Sequence, residues 1–395
     1  MSEYHSSKHS VETCHECGLR VAVPSLVERQ KALCPRCGFV LSTCHVNASE
    51  RILVFAITAL TFLAGSLFFD FLTFKANGIE RKIDMAASVN ILFDNGYPLL
   101  AIIEVITIFA IPAVLLLGIV YLLFFLRKGV YPKYGHTILH ILFVLMPWSM
   151  VEIFLIGVLV SLIKVVSLAD INLGLSFYAY ILFSMAMIAT MLHMDRRHLF
   201  QALDSHLVVP EQAKATPIEK SEKLKTKQSI QHTWALIITS VILYIPANVL
   251  PIMNTRFLGQ DEPSTIIGGV LLLWSHGSYP IAAVIFVASI LVPVGKIVVL
   301  AWLNFSVQND LSHFQSERIG LYRMAEFVGR WSMVDVFVVI ILVSLVQLGN
   351  AMSIFPGAAT LAFSGVVVLT MLAAMSFDST LIYDNKSDYE SSITS

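Results

Sequence analysis

The chain has 395 residues, 56% of them hydrophobic and 13% charged, with a formal net charge of −1 and a mean hydropathy of +0.76. A soluble domain carries about 25% charged residues, so this composition belongs in a bilayer and offers no basic surface to nucleic acid. A net charge near zero says nothing of orientation, which depends on where Lys and Arg fall.

The first fifty residues are polar and lack the apolar core of a secretory signal. CHECG occupies 14–18 and CPRCG 34–38, so Cys14, Cys17, Cys34 and Cys37 follow a C-x2-C-x16-C-x2-C spacing. Four thiolates so spaced close a tetrahedral metal site, with Gly18 and Gly38 allowing a tight turn beside each pair. Disulfides are the competing reading, but a cytoplasmic tail is reduced and favours metal. Zinc is the expected ion and rubredoxin-like iron the alternative. Four cysteine ligands leave no open position, so the expected role is structural.

About 20 apolar residues are needed to cross the hydrocarbon core. Eight such runs follow, at 52–74, 98–126, 148–167, 174–194, 232–253, 279–304, 331–349 and 358–377. The stretches 134–147 and 316–330 read as helices leading into the third and seventh. Of the 26 Lys and Arg residues, twenty fall on the side of the two termini, four on the other, and Lys164 and Lys296 within spans. That bias predicts cytoplasmic N- and C-termini. The stretch KATPIEKSEKLKTK, within 201–231, reads as a flexible linker.

The chain is duplicated. PWSMVEIFLIGVLVSL at 147–162 and RWSMVDVFVVIILVSL at 330–345 agree at nine of sixteen positions, and W-S-M-V-acid-x-F is not apolar filler. Tyr97-Pro98 and Tyr279-Pro280 open the second and sixth spans, Pro112 and Pro293 lie within them, and Asp195 and Asp378 close each half. Four spans per half insert in the same orientation, a parallel repeat known among transporters. The expected fold class is an all-α integral membrane protein with about eight transmembrane helices in two tandem four-helix modules and a small N-terminal zinc ribbon. The division is ribbon tail 1–49, first module 50–200, linker 201–231, second module 232–384 and C-terminal tail 385–395.

Ionisable groups inside spans are costly and point to function. Lys296 is the sharpest case; it either serves a pathway or snorkels to the headgroups, and Asp335 or Glu326 is its expected partner. Glu152 and Asp335 lie one turn inside their spans beside Trp148 and Trp331, which read as interfacial anchors. Their presence in both halves favours a shared gating or inter-helix contact. Glu104 has the apolar Phe286 as its counterpart. In the fifth span, Pro246, Asn248 and Pro251 predict a bent helix whose freed carbonyls and Asn amide bond to neighbours. The first-half text has no such prolines.

Together the CxxCG and CPRCG knuckles, YIPANVLPIM at 244–253, the Tyr-Pro span starts, both W-S-M-V-acid-x-F motifs and the closing Asp195 and Asp378 resemble the paraquat-inducible protein A family of bacterial inner-membrane proteins. The resemblance covers about 12–384. It implies two membrane modules, each usually preceded by a cytoplasmic zinc ribbon, with Cys14, Cys17, Cys34 and Cys37 as ligands of the first. It also implies work with periplasmic MCE-domain proteins in phospholipid traffic between inner and outer membranes. This chain departs from the pattern at 201–231, where the second ribbon has no cysteine. The competing expectation is a metal- or redox-responsive membrane scaffold. No nucleotide loop, HExxH or GxSxG motif is present, so enzymatic activity is not expected.

Overall fold

The computed structural model describes residues 10–23, 30–43, 47–76, 79–165, 170–204, 219–257, 260–275, 277, 279–309, 315–345 and 352–383. Eight helices are long and apolar enough to cross a membrane: Ala48–Phe68, Pro98–Arg127, Gly135–Ile163, Leu175–His193, Gln228–Val249, Ala282–Gln308, Glu317–Ser344 and Ala358–Ser376. They fall on the eight apolar runs. The lead-in helices of the third and seventh are parts of those spans, interrupted by the turn Met146–Trp148 and by Ser332. Both interruptions sit in the W-S-M-V motif, and the hydroxyls of Ser149 and Ser332 are buried there without a hydrogen-bond partner.

In the first half the first and fourth spans pack side by side with the second beside the first; fifth, eighth and sixth repeat the arrangement. The second and sixth spans each contain a wide π-helical turn, Val105–Ala110 and Val287–Leu291, with Pro112 and Pro293 just after it. Such turns accommodate an extra residue in a helix. Tyr97 and Tyr279 are 182 apart but Pro112 and Pro293 only 181, so a one-residue difference in length between the copies falls across this turn.

The halves meet on their third and seventh spans. Phe154 and Phe337, the closing aromatics of the duplicated motif, pack edge to face with centroids 5.7 Å apart. Gly157 lets the seventh span approach, since a Cβ there would lie 3.0 Å from Phe337 Cβ. Ser161 Oγ donates across to Val338 O at 3.3 Å. The shared motif is thus, in part, the seam between the two copies.

Strands were not read from the sequence. Two three-stranded antiparallel sheets cover the face opposite the cysteines: Leu72–Ala76 pairs with Ile79–Ile83 and Asp170–Leu173, and Met253–Phe257 pairs with Gln260–Ser264 and Met352–Pro356. Each sheet zips the chain leaving the first or fifth span to the loop joining the last two spans of its half. Gly174 and Gly357 make the zipping possible, since a Cβ at either would collide with the carbonyl of Asp70 or Pro251.

The linker differs from expectation. Arg196–Asp204 is helical, and the helix that carries the fifth span begins upstream of it, at Glu219. The sequence EKSEKLKTKQ lacks Gly and Pro and places Glu219 four residues before Lys223, both of which favour helix. Residues 205–218 of the linker and the tail 385–395 lie outside the described residues.

A candidate metal centre and two intramembrane polar clusters

Two short hairpins build the head, Ser10–Thr13 with Arg20–Val23 and Lys31–Leu33 with Val40–Thr43. Their knuckles are near-identical. The N–H of Cys14 donates to Leu19 O at 2.8 Å and that of Gly18 to Cys14 O at 2.9 Å; Cys34, Phe39 and Gly38 repeat both distances. The turns need φ of +68° at Gly18 and +69° at Gly38, where a side chain would strain the backbone. The four Sγ atoms lie within 4.8 Å of one another, with Cys14–Cys37 at 3.6 Å and Cys17–Cys34 at 3.5 Å. A tetrahedral ion with bonds of about 2.3 Å to sulfur sets its ligands about 3.8 Å apart, whereas a disulfide would draw a pair to about 2 Å. The thiols therefore fit a four-coordinate metal ion.

Without metal, burial acts to raise the Cys34 thiol but is outweighed by hydrogen bonds from the Cys37 and Arg36 backbones, which bring it down to about 7. Burial pushes Cys37 up, and Cys17 further. Metal must displace those protons to bind.

The head touches both halves. Cys14, Cys17 and Cys34 pack with Ile319, Tyr322, Phe377 and Tyr383 of the second half. Arg323 pairs with Glu16 at 3.4 Å and lies over the Phe39 ring, while Arg36 lies over Tyr383. On the other side Asp195 accepts from Ser42 Oγ at 2.9 Å and Thr43 N at 2.6 Å, and caps the helix Arg196–Asp204 through Arg197 N. Its counterpart Asp378 accepts from Thr380 N at 3.0 Å. Closing aspartates that looked like motif markers are helix-start caps, one of them also a tether.

The polar groups expected within the membrane separate into two clusters. In the second half Lys296 is 4% exposed and lies against Gly329, where a Cβ would collide with its Nζ. Of the two expected carboxylates, Glu326 on the facing helix acts on it electrostatically. Asp335 accepts a short hydrogen bond from Ser289, in the π-helical turn of the sixth span. Pro293 follows that turn. In the first half Glu104 is buried, with Oε1 accepting from Ser88 Oγ at 2.9 Å and Oε2 unpartnered. Glu152 Oε2 is also buried and unpartnered, and both carboxylates bear electrostatically on the fully buried Tyr180. Tyr180, Gly329 and Ser289 were missed by sequence reasoning; none carries a charge or a motif.

Among the described residues Asn248 does not reach a neighbouring helix. Its amide donates to Tyr244 O of its own helix at 2.9 Å. The helix runs through Pro246 to Val249, and the carbonyls beyond it serve the sheet-side turn: Pro251 O accepts from Ala359 N, and Ile252 O from Gly357 N and Thr360 Oγ1. The double proline therefore lies at the end of the span, where the chain turns into the sheet. Trp331 is 43% exposed, and Trp148 belongs to the turn that breaks the third span.

Two copies of a four-span helical module with a four-thiol head define a multi-pass membrane protein built by duplication. The family model for Paraquat-inducible protein A matches residues 49–204 and again 230–387, and the chain belongs to that family. It is similar to Intermembrane transport protein PqiA of Escherichia coli (strain K12), with 37% identity over 98% of each chain. Lipophilic envelope-spanning tunnel protein A of the same strain is 27% identical over 94% of this chain and 91% of its own. A probable intermembrane transport protein of Haemophilus influenzae is 27% identical over 94% and 95%. No solved structure matches the chain.

Proposed function

We propose that this protein is the inner-membrane component of a lipid-transport system that works with a periplasmic MCE-domain tunnel protein. It moves phospholipids between inner and outer membranes and so supports the integrity of the envelope. The observation that carries the reading is near-full-length similarity, at 37% identity, to a protein named for intermembrane transport. Lipid as cargo is supported by the name of a second relative, an envelope-spanning tunnel protein described as lipophilic. The termini face the cytoplasm, by the distribution of Lys and Arg, and the metal is zinc in a structural role.

Lys296, Asp335, Glu152 and Glu104 are the groups on which transport depends. Buried charge at membrane depth is costly, and Gly329 is shaped around Lys296. With no nucleotide loop in the chain, the drive comes from outside it or from proton movement through these groups. Lys296→Ala and Asp335→Ala are expected to weaken complementation of the envelope barrier while the protein still inserts. Normal detergent resistance with both variants removes the two residues from the mechanism.

A second reading, a metal- or redox-responsive scaffold, is favoured by the contact of the head with both halves. Lipid photocrosslinking to the purified protein separates the two: a scaffold takes up no lipid between its spans.

A further inference from the structure

A crevice of about 670 Å³ opens between the head and the end of the fourth span, a size suited to a small ligand. One wall is the second hairpin of the head, the other the start of the helix Arg196–Asp204. Arg196 and Arg197 line it, with His15 opposite. Its two carboxylates are already engaged. Asp195 accepts from Ser42, Thr43 and Arg197 as described, and Asp204 pairs with His136 at 3.1 Å. The guanidinium of Arg196 rests over the Phe143 and Phe200 rings, at 5.6 and 5.7 Å from their centroids. Among the described residues no carboxylate pairs with it, so its fork of N–H donors is left for an anion.

The walls are also apolar where they meet the membrane. Leu192, in the last turn of the fourth span, is 71% exposed, and Val40 faces it from the head. A soluble anion has no use for those surfaces; a lipid phosphate with its chains along Leu192 does. The second half supplies the contrast. At the same point after Asp378, the residues matching Arg196 and Arg197 are Ser379 and Thr380, and the first knuckle of the head fills the space, with Gly18 against Thr380. Room and guanidinium groups occur together on one side only.

We propose that this crevice binds the phosphate of an anionic phospholipid headgroup from the leaflet on the side of the head, Arg196 and Arg197 taking the phosphate oxygens. As a place where cargo is first held, it rests on the lipid-transport reading; as a binding site, it stands without it.

The test uses full-length protein in phosphatidylcholine nanodiscs containing a phosphatidylglycerol analogue with a photoreactive headgroup. Labelling is expected in peptides covering 39–43 and 192–204. Arg196→Gln with Arg197→Gln should lower it about tenfold, the order expected for losing hydrogen bonds between charged groups. Metal content, measured in parallel, reports whether the head remains folded. Val40→Lys, which adds a cation to the facing wall, should raise labelling and keeps the test decisive if the arginine variants misfold. Equal labelling by a phosphatidylcholine analogue overturns the proposal, as does full protection by millimolar inorganic phosphate, which would make the ligand a free anion. Lost labelling with undiminished envelope complementation leaves the site standing and breaks its link to transport.

Discussion

The two halves solve one position in opposite ways. Counting from the helix caps Asp84 and Thr265, Ser88 of the first half corresponds to Gly269 of the second; counting from Tyr97 and Tyr279, Glu104 corresponds to Phe286. In the first half the short helix Met85–Asp94 is covered by the seventh span. Ser88, Glu104, Ile341 and Ser344 there border a space of only about 20 Å³, lined mostly by apolar side chains. In the second, among the described residues, no span is packed on the helix Ile266–Ser275 to the same extent. Val270, Leu271, Trp274 and Phe286 instead border an open apolar groove of about 360 Å³. Duplication supplied two copies of a fold with one partner for their equivalent faces. The seventh span packs on the first copy's face, and the second copy carries Gly269 and Phe286 where the first has Ser88 and Glu104.

The largest expected effect breaks the comparison at the head. Only the N-terminal ribbon keeps its cysteines, so Cys17→Ser should abolish stoichiometric metal, read by elemental analysis of purified protein. Structural zinc contributes on the order of 10 kcal/mol to folding in small fingers, so proteolysis should then cut within 10–43 while the spans survive. The raised Cys17 and Cys37 thiols add a sign: half-saturation moves to higher metal concentration as pH falls, because protons compete for the ligands. Metal retained by Cys17→Ser would mean the ribbon is not the site.

The seam between the halves comes next. Gly157→Ile gives the first copy the side chain that the second carries at Ile340. A β-branched group there meets the Phe337 Cβ and the Val334 carbonyl, and overpacking of this kind costs about 1–3 kcal/mol. The readout is a lower thermal midpoint in detergent. An unchanged midpoint would show that the third and seventh spans are not locked face to face.

In the second half's polar cluster, Gly329→Ala meets only the flexible end of Lys296 and should destabilise by less, and Lys296→Ala should remove most of that penalty. A coupling energy of about 0.5–3 kcal/mol in the double-mutant cycle is expected for groups in contact. Additive effects would place the lysine elsewhere.

What could be read beforehand follows from the range of the interaction. The spans, the knuckles and the duplication are local or periodic signals, and all are visible in the text. The central hairpin of the first sheet was not read, although Asn77-Gly78 between Ala76 and Ile79 is a strong two-residue turn signal. Its third strand, Asp170–Leu173, pairs with residues about a hundred positions earlier, and no local pattern announces it. The same holds for the polar clusters. Lys296 and Glu104 were conspicuous as charges in apolar text, but the residues that shape their surroundings, Gly329 and Ser88, are ordinary until the helices pack. Asp195 was seen as a repeat marker, and its tether to Ser42 and Thr43 requires the head to fold back on the first half.

The smallest expected effect probes the open groove itself. Gly269 has no heavy atom within 4 Å of where a Cβ would stand, and it lies within the helix Ile266–Ser275. Glycine in a helix interior costs roughly 0.5–1 kcal/mol relative to alanine. Gly269→Ala should therefore raise the thermal midpoint slightly if this face meets only lipid. A fall instead would mean that something packs closely on the face, either a partner or the seventh span in another arrangement. The same substitution at its counterpart, Ser88→Ala, should do the reverse: it strips the buried Glu104 of a hydrogen bond, leaving a buried acceptor unsatisfied at about 1–3 kcal/mol. Opposite signs at two positions that descend from one residue are what the asymmetry of the halves requires.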